Sequence, residues 1–351
     1  MSKASQGNFF EDFRLGQRLR HPTPRTLGSG DVALYLALTG SRFAVTSSVA
    51  FARAIGLAAA PIDDLLVFHV VFGKSVAEVS LNAVANLGYA EGRFGAPVYP
   101  GDTLSAESEV IGLKENSNGR TGTVYVRTTG RNQDGEVVLT FVRWVMVRKR
   151  APASPAPEPR IPALAEAVAM SELAAPAGLQ ADRYDPDLAG AAALWEDYAV
   201  GERIDHVDGA TVEEAEHMMA VRLYQNTARV HLDAHAAHGS RFGHRLVYGG
   251  HVMSLARALS FNGLANAFRV AAINGGRHVA PVFAGDTLYA WSEVLATAPL
   301  AAHPGLGALR LRTVVAKDHP CTAFPLREDD GAYHSAVVLD LDYTVLMPRR
   351  A

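Results

Sequence analysis

The sequence predicts an α+β protein made of two tandem copies of one domain, each an antiparallel sheet curled around a long apolar helix. The first observation is an internal repeat. Residues 11–18 (EDFRLGQR) return as 196–203 (EDYAVGER), and residues 96–104 (APVYPGDTL) return as 280–288 (APVFAGDTL), followed in both copies by Ser-Glu-Val at 108–110 and 292–294. The offsets, 196 − 11 = 185 and 280 − 96 = 184, keep one register, as a duplication does. The second observation is the order within each copy, where a long apolar segment (residues 64–85 and 249–268) is followed by consecutive strand-like runs. The third is physical: a helix apolar over most of its surface has to be covered on most sides, and successive antiparallel strands do this by wrapping it.

Each copy opens on a polar entry and a helix-like stretch, residues 31–40 and 212–224. After the central segment, Leu104, Ala106, Ser108 and Val110 alternate with Ser105, Glu107 and Glu109, the period of a strand with one buried face. Residues 121–129 and 137–149 continue as strands, with polar turns at 116–119 and 133–135. The second copy repeats the series at 287–295, 307–317 and 335–347. Between the copies, residues 151–162 (APASPAPEPRIP) read as an extended linker, because proline removes backbone donors and favours an open chain. The alanine-rich piece up to about residue 190 either adds a short helix or wraps one domain. The expected division is therefore 1–150, a linker at 151–190, and 191–351.

Composition narrows the function. The 351 residues include 48% hydrophobic ones, enough for two cores, and a net charge of −3 with mixed signs along the chain argues against nucleic acid or an anionic membrane as partner. Cys321 is the only cysteine, so thiolate metal sites and internal disulfides are excluded and a buried, inert thiol is expected. No span approaches the ~18 apolar residues of a membrane helix, and the N-terminal stretch lacks a leader pattern, so a soluble cytoplasmic protein is expected.

Chemistry concentrates in residues 222–253, which hold five of the thirteen histidines, a carboxylate and a glycine pair. Histidine titrates nearest neutrality, so such a cluster between a polar loop and a glycine turn suggests proton transfer. His231, His235 and His238 also fall at i, i+4 and i+7, the spacing of zinc ligands on one helix face, but no adjacent glutamate base completes that site and a helix start at Asp233 would break it.

The tandem sheet-around-helix pattern resembles the hot-dog fold, here a double hot-dog. The run Gln225-Asn226-Thr227-Ala228-Arg229-Val230-His231-Leu232-Asp233, then Phe242-Gly243, then Tyr248-Gly249, resembles the signature of the MaoC-like, R-specific enoyl-CoA hydratases. His231, Asp233, Phe242, Gly243 and Gly249 match that signature, whereas Asn226 stands at its catalytic aspartate and Arg229 at its proline. Over the whole length, segments 7–17, 61–74 (PIDDLLVFHVVFGK), 86–93 (NLGYAEGR) and 143–149 (RWVMVRK) are similar to the mesaconyl-CoA hydratases, also called β-methylmalyl-CoA dehydratases. In the first copy the aligned loop, residues 39–45, has neither aspartate nor histidine, so one catalytic centre per chain is expected, in the second copy.

The resemblance implies reversible hydration of a branched C5 enoyl thioester that carries a free carboxylate. His231 is then the proton-transferring group, Gly249 an oxyanion donor through its backbone N–H, and Asn226 a group that orients water. Arg229 is the candidate cation for the substrate carboxylate, against the alternative of a solvent-facing arginine. Tyr248 either lines the pocket or packs in the core, the safer assumption, and Gly250 stands beside Gly249. Asp233 either orients His231 or caps the next helix, and its place before Ala-His-Ala-Ala favours the cap. The partner implied is a CoA thioester, with no metal or redox cofactor, and self-association of the hot-dog units is expected. A hot-dog thioesterase is the rival, since fold alone does not choose between the two chemistries.

Overall fold

The computed structural model describes residues 3–350, and in it ten strands form one continuous antiparallel sheet in the order β1-β3-β4-β5-β2-β7-β10-β9-β8-β6. The strands are β1 (Arg18–Thr26), β2 (Ala83–Phe94), β3 (Thr103–Glu115), β4 (Thr121–Arg131), β5 (Val137–Arg148), β6 (Arg203–Thr211), β7 (Arg269–His278), β8 (Thr287–Pro299), β9 (Leu306–Lys317) and β10 (Val337–Pro348). The first five and the last five follow the same order, so the sheet is two copies of one half joined at β2 and β7. Each half encloses one helix, Asp64–Lys74 or Gly249–Leu259. Every residue from 65 to 74 and from 250 to 259 is buried, as the all-round apolar character of these segments demands.

The central helices are shorter than the apolar segments suggest. The first gives way to a π turn, Val76–Ser80, before β2, and the second to the short kinked helix Phe261–Leu264 before β7. Strand β2 starts in the last three residues of its segment and β7 directly after the end of the other, and neither is among the strand-like runs read from the sequence. Glycines hide them: β2 carries Gly88 and Gly92, positions that weaken a strand reading. The structure explains both. A Cβ on Gly88 would lie 2.3 Å from the Trp144 ring, and one on Gly92 would lie 2.9 Å from the Ile273 carbonyl across the seam. The seam pairs Tyr89 with Gly276, Ala90 with Gly275, Gly92 with Ile273 and Arg93 with Ala272.

The two central helices touch across the core, where His69 Nε2 meets Ser254 Oγ at 2.7 Å and the Tyr35 hydroxyl donates to the same oxygen at 2.9 Å. One apolar cluster runs through both halves, including Leu65, Phe68, Phe72, Val252, Met253 and Leu255. Each such side chain contributes on the order of 1.5–3 kcal/mol by leaving water. Residues 151–190 do not hang free. Arg160 pairs with Leu113 as an isolated bridge, and Val168, Leu173, Leu179 and Ala189 are buried against Phe51, Ile55, Phe268 and Leu306. Cys321 is buried, and burial pushes its thiol up to about 12, the inert state expected of it. Among the described residues no helix is long and apolar enough to cross a membrane.

Candidate active site

The site is built on the chain between helix Glu214–Leu223 and the second central helix. After Tyr224 the backbone turns through Gln225, which takes φ +53°, and the turn is closed by Asn226 N–H donating to the Val221 carbonyl at 3.1 Å. Asn226 is buried; its Oδ1 accepts from Ala228 N–H at 3.1 Å, which leaves the Nδ2 end as its free donor. A single helical turn, Arg229–Leu232, then presents His231.

His231 is half-buried, and its Nδ1–H donates to the Leu246 carbonyl at 2.9 Å. That bond fixes the tautomer: the proton sits on Nδ1, so Nε2 carries a free lone pair. Desolvation holds the ring down to about 4, against a smaller upward pull from the Leu246 carbonyl, so it is neutral at pH 7. The same segment is tied a second time by Leu246 N–H donating to Val230 at 3.1 Å.

The second central helix begins at Gly249. The backbone N–H groups of Gly249 and Gly250 make no hydrogen bond among the described residues, as expected of the first amides of a helix, and they concentrate the positive end of its dipole. Both positions need glycine for contact reasons. A Cβ on Gly249 would lie 2.4 Å from Cε1 of the His278 ring, and one on Gly250 would lie 2.5 Å from the Tyr248 ring. Tyr248 is buried, its ring centroid 5.5 Å from that of His231, and its hydroxyl has no hydrogen-bond partner. Its backbone N–H donates to His217 Nε2 at 2.9 Å, which anchors the helix start.

His231, Tyr248, Gly249 and Gly250 therefore converge. Asp233 and Arg229 do not join them. The Asp233 carboxylate accepts from Ala236 N–H at 2.9 Å and caps helix Ala234–His238, the role favoured for it, while the His231 ring is oriented by Leu246. Arg229 is exposed and its side chain makes no ion pair or hydrogen bond among the described residues, the solvent-facing alternative. The chain is extended at Asp233 (φ −102°, ψ 98°), so His235 and His238 lie on a separate helix and the three histidines share no face.

Several site residues escaped the sequence reading, and most come from the first half. Tyr89 of β2 approaches His278 Nε2 at 3.2 Å across the seam. Phe72 packs on Tyr248 with centroids 5.6 Å apart, and Arg143 of β5 lies 4.1 Å above the Phe72 ring. Arg25 donates to the Leu223 carbonyl, and a Cβ on Gly73 would lie 2.0 Å from the Tyr224 carbonyl, so the site loop rests directly on the first central helix. A signal for His278 was present in the repeat. At the offset of 184 it aligns with Phe94, a polar ring replacing an apolar one.

The family model described as mesaconyl-CoA hydratase matches residues 2–323. A β-methylmalyl-CoA dehydratase of Chloroflexus aurantiacus is 62% identical over 349 residues, covering 99% of both chains. A mesaconyl-CoA hydratase of Cereibacter sphaeroides is 61% identical over 347 residues, covering 99% of this chain and 100% of that one. The crystal structure of a MaoC domain protein from Chloroflexus aurantiacus superposes with a TM-score of 0.98 at 62% identity over the whole of both chains. A conserved protein of Mycobacterium tuberculosis with a double hotdog fold superposes with a TM-score of 0.75 at 26% identity, covering 98% of this chain and 99% of that one. The observed architecture is accordingly a double hot-dog. The chain belongs to the mesaconyl-CoA hydratase family.

Proposed function

We propose that this chain is a hydro-lyase that adds water reversibly across the double bond of mesaconyl-CoA to give β-methylmalyl-CoA. One observation carries the reading: a neutral imidazole with a free Nε2 stands beside a helix start whose first amides are unpaired. Hydration beta to a thioester needs a base for water, an acid for the alpha carbon and donors for the charge on the thioester oxygen. His231 Nε2 takes a proton from water as its oxygen bonds to the beta carbon. The electron pair of the double bond moves toward the thioester, whose oxygen is held by the Gly249 amide with Gly250 beside it. The imidazolium then returns its proton to the alpha carbon, so that one water has been added and the enzyme is restored.

Asn226 cannot accept a proton, and its Nδ2 is placed in this reading to orient the attacking water. Residues 191–351 carry the chemistry, residues 1–150 form the degenerate half that supports it, and residues 151–190 connect them. A cytoplasmic location and self-association of the double hot-dog belong to the same reading. The test is to mix the protein with mesaconyl-C1-CoA and follow product mass and free thiol together. Gain of one water with no thiol released supports hydration; release of thiol would establish the thioesterase alternative.

A further inference from the structure

The two halves differ at a matched pair of positions, one at the start of each central helix and one at the end of the strand that follows it. Asp64 opens the first central helix and Phe94 ends β2, whereas Gly249 opens the second and His278 ends β7. The half with the histidine motif thus carries a bare backbone in place of a carboxylate and an imidazole in place of a phenyl ring. The two differences require each other. A Cβ at position 249 would lie 2.4 Å from Cε1 of the His278 ring and 2.6 Å from each of its nitrogens, so the ring fills the space that a side chain at the helix start would need. Packing alone is served by phenylalanine, as Phe94 shows, buried in the core of the first half.

His278 is held from across the seam. Tyr89 pairs with Gly276, and a Cβ on Gly276 would lie 3.0 Å from the Tyr89 ring, so the glycine lets that ring lean toward His278 two residues on. The Tyr89 hydroxyl meets His278 Nε2 at 3.2 Å, its only hydrogen-bond partner among the described residues. Tyr89 is buried. An imidazole N–H aimed at that oxygen would leave the phenol's own proton without an acceptor, so the hydroxyl donates and Nε2 accepts. The ring proton therefore sits on Nδ1. Nδ1 makes no hydrogen bond among the described residues and, unlike the Tyr248 hydroxyl, is not sealed away, so its N–H is open to a molecule entering the site.

Two donors then flank one point. Covalent geometry puts the Gly249 nitrogen about 2.5 Å from its Cβ position, so His278 Nδ1 lies within about 5 Å of that nitrogen. Two N–H groups meet on one oxygen at separations up to about 5.8 Å, twice an ordinary N–H···O length. Desolvation, with the nearby His231 as the lesser cause, holds the His278 ring down to about 4, so it is neutral at pH 7. A neutral imidazole N–H is too weak an acid to surrender its proton to an enolate, so it stabilises the oxyanion by a hydrogen bond and leaves proton transfer to His231.

We propose that His278 Nδ1–H is a second donor to the thioester oxygen, joining the Gly249 amide, and that Tyr89 of the first half positions it by fixing its tautomer. This rests on the hydratase reading and deepens it, adding a side-chain donor to a backbone one where charge builds.

The experiment measures kcat and KM of the intact protein and of His278→Phe, His278→Asn and Tyr89→Phe on mesaconyl-CoA and on crotonyl-CoA, which carries the thioester but lacks the free carboxylate. His278→Phe installs the ring that ends β2; kcat falls about 100-fold, the lower end for losing one oxyanion donor, with KM within about threefold. The factor is the same on both substrates, because the thioester is common to them. His278→Asn, whose amide nitrogen stands close to the place of Nδ1, recovers about tenfold of that loss. Tyr89→Phe lowers kcat about fivefold in the parent, on the scale of one hydrogen bond, and has no further effect in His278→Phe or His278→Asn, neither of which has a tautomer to fix. That non-additivity separates positioning from packing, and its His278→Asn arm keeps the test decisive should His278→Phe fail to fold. Unchanged kcat in the folded variants, a rise in KM alone, additive losses, or a loss confined to mesaconyl-CoA would overturn the proposal while leaving hydration intact. A parent protein that fails to hydrate mesaconyl-CoA would instead remove the hydratase reading itself.

Discussion

Replacing Gly73 with alanine should disable a site whose motif lies 150 residues further along the chain. Gly73 is inside the first central helix, where a Cβ would sit 2.0 Å from the Tyr224 carbonyl. Real Cβ contacts essentially never fall below 3.0 Å, so the two backbones must part by at least about 1.0 Å. Tyr224 has little room to yield, since it is buried with its ring 4.5 Å from His69 and 5.9 Å from Tyr248. The displacement therefore passes to Gln225 and Asn226, and with them to the turn that presents His231. A shift of about 1 Å in a catalytic group costs on the order of 100-fold in rate. Stability should suffer less. Overpacking costs about 1–3 kcal/mol, offset by about 1 kcal/mol from alanine's better helix propensity. The assay is kcat/KM on mesaconyl-CoA beside a urea unfolding curve. A folded Gly73→Ala protein with kcat/KM within threefold of the parent would refute the idea that the first half positions the site loop.

Three further outcomes follow from the same geometry. Asn226→Asp should weaken binding of the carboxylated substrate, because it adds a buried negative charge near the substrate's own; unchanged or improved kcat/KM on mesaconyl-CoA would count against that account. Arg229→Ala should change mesaconyl-CoA and crotonyl-CoA to the same extent, since the residue is exposed and unpaired, and a selective rise in KM for mesaconyl-CoA would return the carboxylate role to it. The fold should also be acid-sensitive. Desolvation lowers His206, His231, His251 and His278 to about 4 and His217 to about 3, below the 6.5 of the unfolded chain, so all five stay neutral in the fold while the unfolded state gains protons as pH falls below 6.5. Between pH 7.5 and 5.5 this removes about 7 kcal/mol, and Asp64, raised to about 7 by desolvation, opposes it with about 2 kcal/mol. The net loss of about 5 kcal/mol is read as a lower urea midpoint at pH 5.5, and an unchanged midpoint would contradict it.

How much of this was legible in the chain depends on whether the signal was local. The duplication, the wrapped helices and the 225–233 loop were legible because each is a short-range pattern: a repeated string, an apolar run, a histidine and glycine at fixed spacing. The cap at Asp233 was legible for the same reason. Strands β2 and β7 were concealed because their glycines answer to neighbours far along the chain, Trp144 and Ile273 among them. Tyr89 and His278 went unassigned because their importance arises at the seam between the halves, through partners nearly 200 residues apart. The first half was read as degenerate from its missing histidine. That reading concerned its own loop, at residues 39–45, and said nothing of the walls that the half lends to the other site.

The central claim is that a single imidazole, His231, moves the protons of hydration. Its most direct test is His231→Gln, which keeps a donor for the Leu246 carbonyl but removes the basic nitrogen. General acid–base catalysis contributes about 100- to 10,000-fold, so turnover of mesaconyl-CoA should fall by about 1,000-fold with the fold unchanged. A folded His231→Gln protein that keeps turnover within tenfold of the parent would contradict the account.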